Sequence, residues 1–298
     1  MFKNLNPGWL GVSGHQSEII ELALTYGFAG MDLNMVEFAT RARLKGMAYA
    51  RRLIDSARLR IGTFPLPFEW DRDDADFQKD LKKLSEYAGC AAELGCLRCT
   101  AVLAPAGDSR PYHENFEFHR QRLSEVCATL RPAGVRLAVG FQAAENLRRD
   151  HSYEFIHELD SLNLLLNMVA APNLGLLLDI WDVVAGGGSL ESVRKLSARQ
   201  IVAVQVAEMP AEVVAADLDD KSRLLPGADH GRIDVAGLLR ILKEGGYEGP
   251  ITAKPSRSAF PTRRRDLVVK QTSEALDKVW HNAGLPIPAK VVVATARD

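Results

Sequence analysis

The chain has 298 residues, in which 37 Lys and Arg stand against 38 Asp and Glu, giving a formal net charge of -1. A composition of 47% hydrophobic and 25% charged residues is typical of a globular protein with a sizeable core. Such a nearly neutral chain has no electrostatic footprint for nucleic acid or for an anionic membrane surface, so neither is expected as a partner.

Short apolar runs alternate with amphipathic stretches along the chain, and glycine or proline separates them. Near-continuous runs of Val, Leu, Ile and Ala are expected of parallel strands that are covered on both faces. The predicted strands are Trp9–Val12, Gly30–Leu33, Arg60–Phe64, Leu97–Leu103, Val135–Phe141, Leu174–Asp179, Ile201–Ala207 and Pro250–Lys254.

The stretches between these runs carry apolar residues at helical spacing. They predict helices over Ser17–Tyr26, Phe77–Glu93, Asn115–Leu130, Tyr153–Val169, Ser189–Leu196 and Asp234–Gly245, with a last helix beginning near Arg263. Eight such units without a linker favour one α/β domain over residues 1–298, a single (β/α)8 TIM barrel, with a doubly wound open sheet as the alternative. No GxGxxG motif follows the first strand, so nucleotide binding is not indicated.

The cysteines are expected to be buried or half-buried thiols. Cys96 and Cys99 form a CxxC pattern, but they lie in an apolar run, and no second CxxC or nearby His completes a zinc set.

The chain also lacks an apolar run of about 20 residues, the length that crosses a bilayer. Its first residues have no signal-peptide layout, and a cytoplasmic location is therefore expected.

The working face of a TIM barrel is the rim at the carboxyl ends of its strands. The polar and aromatic residues that follow each predicted strand are therefore candidates for ligand binding. These candidates are His15, Trp70, Gln142, Glu145, Trp181, Asp182, Gln205, Glu208 and Arg257. Asp179 and Lys254, which end strands six and eight, are the candidate catalytic residues. Arg148, Arg149 and Arg223, together with Arg257, are candidates for an anionic group.

Four stretches carry a resemblance to a known family: IIELALTYGFAGMDL, YHENFEFHRQRL, LGLLLDIWD and LLPGADHGRIDVAGLLRILKEGGYEGPITAK. They resemble the xylose isomerase-like TIM barrels, a superfamily of sugar isomerases, sugar 3-epimerases and endonuclease IV-type enzymes. The resemblance extends nearly end to end and implies the barrel fold. It does not choose among these chemistries, since one fold carries several of them.

Isomerases and epimerases of this group typically hold one divalent metal, often Mn²⁺, between a Glu, an Asp, a His and a Glu on strands five to eight. The resemblance places these ligands at Gly140, Asp179, Gln205 and Lys254, and places a substrate-contacting His at Asp182. It therefore implies a degenerate site in which one ligand is kept and another is replaced by a cation. A divalent ion beside Lys254 would be repelled, so no metal or other cofactor is expected.

Three functional hypotheses follow. The first is a metal-free member of the group that binds a small sugar or polyol at the rim. The second is an active isomerase or epimerase whose divalent cation, such as Mn²⁺, has moved to Glu145, Asp179, Asp182 and Glu208. The third is a catalytically inactive scaffold or partner subunit, and a homodimer or a partner protein would be compatible with it. Lys254 is either a Schiff-base or general-base lysine, or a buried cation that stands where the metal stood.

Overall fold

The computed structural model describes residues 1–214 and 217–287. Within these ranges, nine strand segments form one parallel sheet, and two further segments form a short antiparallel pair. The strands are β1 (Phe2–Leu5), β2 (Gly30–Met31), β3 (Arg60–Ile61), β4 (Phe64–Pro65), β5 (Arg98–Leu103), β6 (Ala106–Gly107), β7 (Arg136–Phe141), β8 (Tyr153–Glu154), β9 (Leu174–Asp179), β10 (Ile201–Val206) and β11 (Pro250–Ala253).

The parallel sheet closes on itself through the extended segment that contains β3 and β4. Its first half pairs with β2, and its second half pairs with β5 on the other side. The remaining strands follow in the order β2, β1, β11, β10, β9, β7 and β5, so eight strands complete the circle among the described residues. The predicted (β/α)8 barrel is confirmed.

Helices surround this barrel and connect its strands. They are α1 (Gln16–Thr25), α2 (Met35–Lys45), α3 (Met47–Ala57), α4 (Asp74–Glu93), α5 (Tyr112–Leu130), α6 (Leu159–Val169), α7 (Ile180–Ala185), α8 (Leu190–Arg194), α9 (Val235–Glu244) and α10 (Arg265–Asn282). No helix in the described ranges is long and apolar enough to cross a membrane. The helix predicted over Tyr153–Val169 begins only at Leu159, because β8 takes up its first residues and pairs with β6.

The first strand is Phe2–Leu5, and the prediction of a strand at Trp9–Val12 is wrong. β1 cannot be recognised as an apolar run, because its two central residues are Lys3 and Asn4. Lys3 is fully buried outside the barrel and donates to Ser273 of α10 at 3.3 Å. Asn4 donates to Thr252 of β11 at 2.9 Å. Both polar side chains therefore find partners inside the fold, and the strand needs no apolar pattern.

Small and aliphatic side chains fill the middle of the barrel, while the larger core lies between the sheet and the helices. Ala138, Leu177, Val202 and Ala203 form the inner group. The cysteine prediction is borne out by burial at Cys96, Cys99 and Cys127 and half-burial at Cys90, all of them free thiols. Polar side chains take over from these apolar layers towards the carboxyl ends of β9, β10 and β11, where the candidate site lies.

Candidate ligand site at the barrel mouth

Four charged side chains meet at the ends of β9 and β11, and we call Asp179, Asp182, Arg223 and Lys254 the buried ion cluster. Each of the four is at most 7% exposed. Arg223 donates to both carboxylate oxygens of Asp179 at 3.1 and 2.9 Å and to Asp182 at 2.7 Å. Lys254 donates to Asp179 at 2.9 Å. Two buried cations and two buried carboxylates therefore balance each other.

Backbone groups fix the two carboxylates in place. Asp179 ends β9 and caps α7, since it accepts a hydrogen bond from the backbone N–H of Trp181 at 3.1 Å. Asp182 lies one turn further on and accepts from the backbone N–H of Ala143 at 3.0 Å. Asp179 is thus held by the start of its own helix, and Asp182 by the segment that follows β7.

Aromatic rings flank the two cations. The Arg223 guanidinium lies 4.2 Å from the ring centre of Trp181, which is fully buried, and the Lys254 ammonium lies 4.7 Å from the ring centre of Trp9. Such contacts stabilise a cation that has left water. The loop that carries Arg223 is attached to the barrel by paired backbone hydrogen bonds between Glu208 and Leu224.

The two aspartates respond differently to their shared surroundings. Burial alone would raise both pKa values, but the attraction of Arg223 and Lys254 outweighs it at Asp179, whose pKa lies well below its usual value. Burial raises the pKa of Asp182 to about 6, and the neighbouring charge of Asp179 acts in the same direction. Asp179 is therefore the permanent anion of the ion cluster.

A cavity of about 640 Å³ opens beside the ion cluster, at the carboxyl ends of β1, β4 and β5. Binding sites for small molecules usually fall between about 300 and 1,000 Å³. Its walls are largely aromatic and aliphatic, and we call it the mouth cavity. Residues that line it include Asn6, Trp9, Leu66, Phe68, Trp70, Asp71, Ala104, Arg110, Asn115, His119, Leu177 and Gln205.

Trp9 and Gln205 connect the mouth cavity to the ion cluster. Trp9 lines the cavity and also contacts Lys254. Gln205 lines the cavity and lies in register with Asp179 on the neighbouring strand. Gln205 is 7% exposed, and its Oε1 has no hydrogen-bond partner among the described residues. A buried amide oxygen without a partner is costly, and a ligand hydroxyl in the cavity would satisfy it.

Two of the residues predicted to bind substrate, Trp70 and Gln205, line the mouth cavity. Asp182 belongs to the ion cluster instead, together with the predicted catalytic residues Asp179 and Lys254. Trp181 lies beneath Arg223 in the core. The roles assigned to these residues from the sequence stay predictions, and the structure adds that the ion cluster and the cavity are neighbours.

The remaining predicted residues lie outside the mouth cavity. Glu208 accepts from the backbone N–H groups of Met209 and Ile233 at 3.0 and 2.6 Å, and Glu145 pairs with Arg148 at 2.5 Å. Arg257 donates to the backbone carbonyl of Leu10. His15 is exposed at the start of α1, and Gln142 is half-buried after β7.

The positions that the resemblance assigns to metal ligands offer no shared ion site among the described residues. No group of three His, Cys, Asp or Glu side chains there is placed to hold a metal. The relocated set of Glu145, Asp179, Asp182 and Glu208 is divided, because Glu145 and Glu208 have separate partners. At Gly140, an added Cβ would lie 3.2 Å from the backbone oxygen of Leu177, so a larger side chain has little room.

Sequence reasoning missed the role of Arg223 and did not propose His119. Arg223 was predicted only as a site for an external anion, yet its guanidinium is already occupied by Asp179 and Asp182. One signal was present in the sequence: Asp179 and Asp182 were expected near a single cation, Lys254, and two buried carboxylates need a second cation to balance their charge. His119 lies within the helical stretch YHENFEFHRQRL, where nothing in the sequence distinguishes it from a core residue.

A sequence model of the family described as "Xylose isomerase-like TIM barrel" matches residues 20–279. A xylose isomerase domain protein of known structure from Alicyclobacillus acidocaldarius superposes with a TM-score of 0.85 and 25% identity, covering 95% of this chain and 99% of that chain.

Two curated relatives are matched over only part of their own length. An inosose isomerase of Halalkalibacterium halodurans is 24% identical over 157 residues, which cover 53% of this chain and 52% of that protein. A 3-dehydroshikimate dehydratase of Pseudomonas putida is 26% identical over 271 residues, which cover 86% of this chain and 39% of that protein. The chain therefore spans about half or less of the length of these curated relatives.

Proposed function

Since the chain belongs to the xylose isomerase-like TIM barrel family, we propose that it binds a small sugar or polyol in the mouth cavity without a divalent metal. The observation that carries the proposal is the buried ion cluster, which has two cations at the position where the resemblance implies a divalent metal. The cavity beside that cluster stays open and has the volume of a small-molecule site.

The residues at the family's metal position do not fit a divalent cation. Both oxygens of Asp179 already accept hydrogen bonds from Arg223, and one of them also accepts from Lys254. A doubly charged ion would have to enter next to these two cations, and electrostatic repulsion would oppose it. Gly140 cannot supply the missing carboxylate, and Gln205 offers a neutral amide in place of an imidazole. No chemical step is therefore assigned to a metal.

The mouth cavity fits the chemistry of a carbohydrate or polyol. Aromatic side chains such as Trp9 and Trp70 can cover the apolar C–H faces of a ring, while Gln205 and Asn115 can hydrogen-bond its hydroxyl groups. The curated relative that is an inosose isomerase supports this ligand class. Asp179 and Lys254 are absent from the residues that line the cavity. The ion cluster therefore acts on the site from behind, by supporting Trp9 and Gln205 in one wall of the cavity.

Binding of scyllo-inosose, a cyclic polyhydroxy ketone, and of myo-inositol tests this proposal. We expect saturation-transfer NMR and calorimetry to detect a dissociation constant in the millimolar range or tighter, unchanged by EDTA. Ala104→Trp fills the cavity from an exposed lining position and should weaken binding at least about tenfold, which is about 1.4 kcal/mol.

Ala48→Trp is the matched control, because Ala48 is exposed on α3 and does not line the cavity. Its affinity should equal that of the wild type. Equal binding by Ala104→Trp would place the ligand elsewhere. Binding that disappears with EDTA and returns with Mn²⁺ or Zn²⁺ would contradict a metal-free site, and failure of both probes to bind would contradict the proposed ligand class.

A further inference from the structure

One histidine side chain, His119, lines the mouth cavity from α5 and takes no part in the ion cluster. It is 6% exposed, and its Nδ1 lies 2.8 Å from the backbone carbonyl oxygen of Asn115. A carbonyl oxygen can only accept a hydrogen bond, so Nδ1 carries the proton. Nε2 is then the basic nitrogen of the neutral ring, and it has no hydrogen-bond partner among the described residues.

Packing fixes the orientation of this ring. Phe155 stacks on it with ring centres 4.9 Å apart and an angle of 29°, and Trp70 meets it edge-on at 5.9 Å and 90°. A histidine held in this way keeps one tautomer and one direction, which is what proton transfer to a bound ligand requires.

The electrostatic surroundings keep the imidazole neutral. Burial lowers the pKa of His119 below its ordinary value of 6.5. The charged groups near the ring are Asp71, which opposes this effect, and Arg110, which adds to it. These two side chains also pair with each other, so their opposite influences on His119 partly cancel. At neutral pH the ring is therefore ready to accept a proton.

We infer that His119 is a general base of the mouth cavity, acting on a sugar or polyol that carries a carbonyl group next to a C–H bond. The inference rests on the proposed function, because it requires such a molecule in the same cavity. It goes beyond that function by giving the site a proton-transfer chemistry that needs no metal.

The step balances without a further reactant. Nε2 of His119 takes the proton from the carbon next to the carbonyl, and the C–H electron pair forms the C=C bond of an enolate. The carbonyl π electrons move to the oxygen, and the amide N–H of Gln205, on the same cavity, is available to hydrogen-bond that oxygen. Return of the proton from Nε2 to carbon completes the cycle, and in D₂O the carbon gains deuterium instead.

Deuterium exchange into scyllo-inosose tests the inference. We expect the wild-type protein in D₂O to accelerate loss of the C–H signals next to the carbonyl, measured by proton NMR, with no change on adding EDTA. His119→Asn keeps a side-chain amide that can donate to the Asn115 carbonyl but removes Nε2. It should slow protein-catalysed exchange at least about 100-fold, the usual contribution of a general base, while probe affinity changes little.

His113→Asn is the matched control, because His113 is exposed on the same helix and does not line the cavity. Its exchange rate should equal that of the wild type. Exchange by His119→Asn within a few-fold of wild type would overturn the inference. Probe binding without any exchange by the wild type would overturn the role of His119 while leaving the proposed function intact, whereas failure to bind would overturn both.

A measurement on the wild-type protein covers the case in which His119→Asn does not fold. Long-range proton–nitrogen NMR correlations distinguish the two neutral tautomers and the doubly protonated ring. At pH 7 we expect the His119 ring to be neutral with its proton on Nδ1. A proton on Nε2, or a charged ring at this pH, would overturn the inference without any variant.

Discussion

The Arg223→Met variant is expected to have a free energy of unfolding about 3–5 kcal/mol below that of the wild type at pH 7. The methionine side chain can fill much of the same space, but it leaves two buried carboxylates facing Lys254 alone. Asp182 would lose the guanidinium that donates to it at 2.7 Å and would have no other cation in direct contact. Urea denaturation followed by circular dichroism measures the loss.

Arg240→Met is the control for this experiment. Arg240 pairs with Asp234 at 3.4 Å, but both side chains are about half exposed. Water and salt screen such a pair, so we expect a change of at most about 1 kcal/mol. If Arg223→Met cost no more than this control, the ion cluster would not be the buried, mutually dependent unit that the structure describes.

The Gly140→Glu variant is expected to be destabilised by more than about 4 kcal/mol, since it combines overpacking with an unpaired buried charge. The substitution introduces the residue type that the resemblance implies for a metal ligand at this position. Its Cβ would approach the backbone oxygen of Leu177 at 3.2 Å and the Leu177 side chain at 3.3 Å. Added Mn²⁺ should not recover the lost stability, because Arg223 and Lys254 still surround Asp179.

Gly89→Glu provides the matched control, because Gly89 is exposed in the last part of α4 with nothing within 4 Å of an added Cβ. Replacing a helical glycine at such a position should leave stability unchanged or raise it by up to about 1 kcal/mol. A Gly140→Glu protein that folds like this control and is stabilised by Mn²⁺ would contradict the assignment of Gly140 as a closed position.

Most of the barrel could be predicted because its strands are covered on both faces and therefore appear as apolar runs. Leu174–Asp179 is an example, since prediction and structure agree on both of its ends. β1 could not be found in this way, because its two central residues are polar and take their partners from other elements. Lys3 donates to α10, and Asn4 donates to β11 and to Asp32, which follows β2. Local pattern carries no information about such distant partners.

The candidate site could be predicted only in part, for the same physical reason. The contact between Asp179 and Lys254 forms at the ends of β9 and β11, which flank β10 on its two sides. Arg223 comes from a loop, and nothing in its neighbouring residues shows that it turns inward. His119 lies on an outer helix and reaches the mouth cavity only because α5 packs near Trp70 and Phe155.

The metal content of the purified protein tests the central claim that Arg223 and Lys254 stand in place of a divalent ion. Elemental analysis of protein prepared without chelators should find Mn, Fe, Co, Ni, Cu and Zn at sub-stoichiometric levels, because Arg223 and Lys254 already pair with Asp179 and would repel a divalent ion. One equivalent of any of these metals per chain, removed by EDTA together with a fall in melting temperature, would contradict the claim.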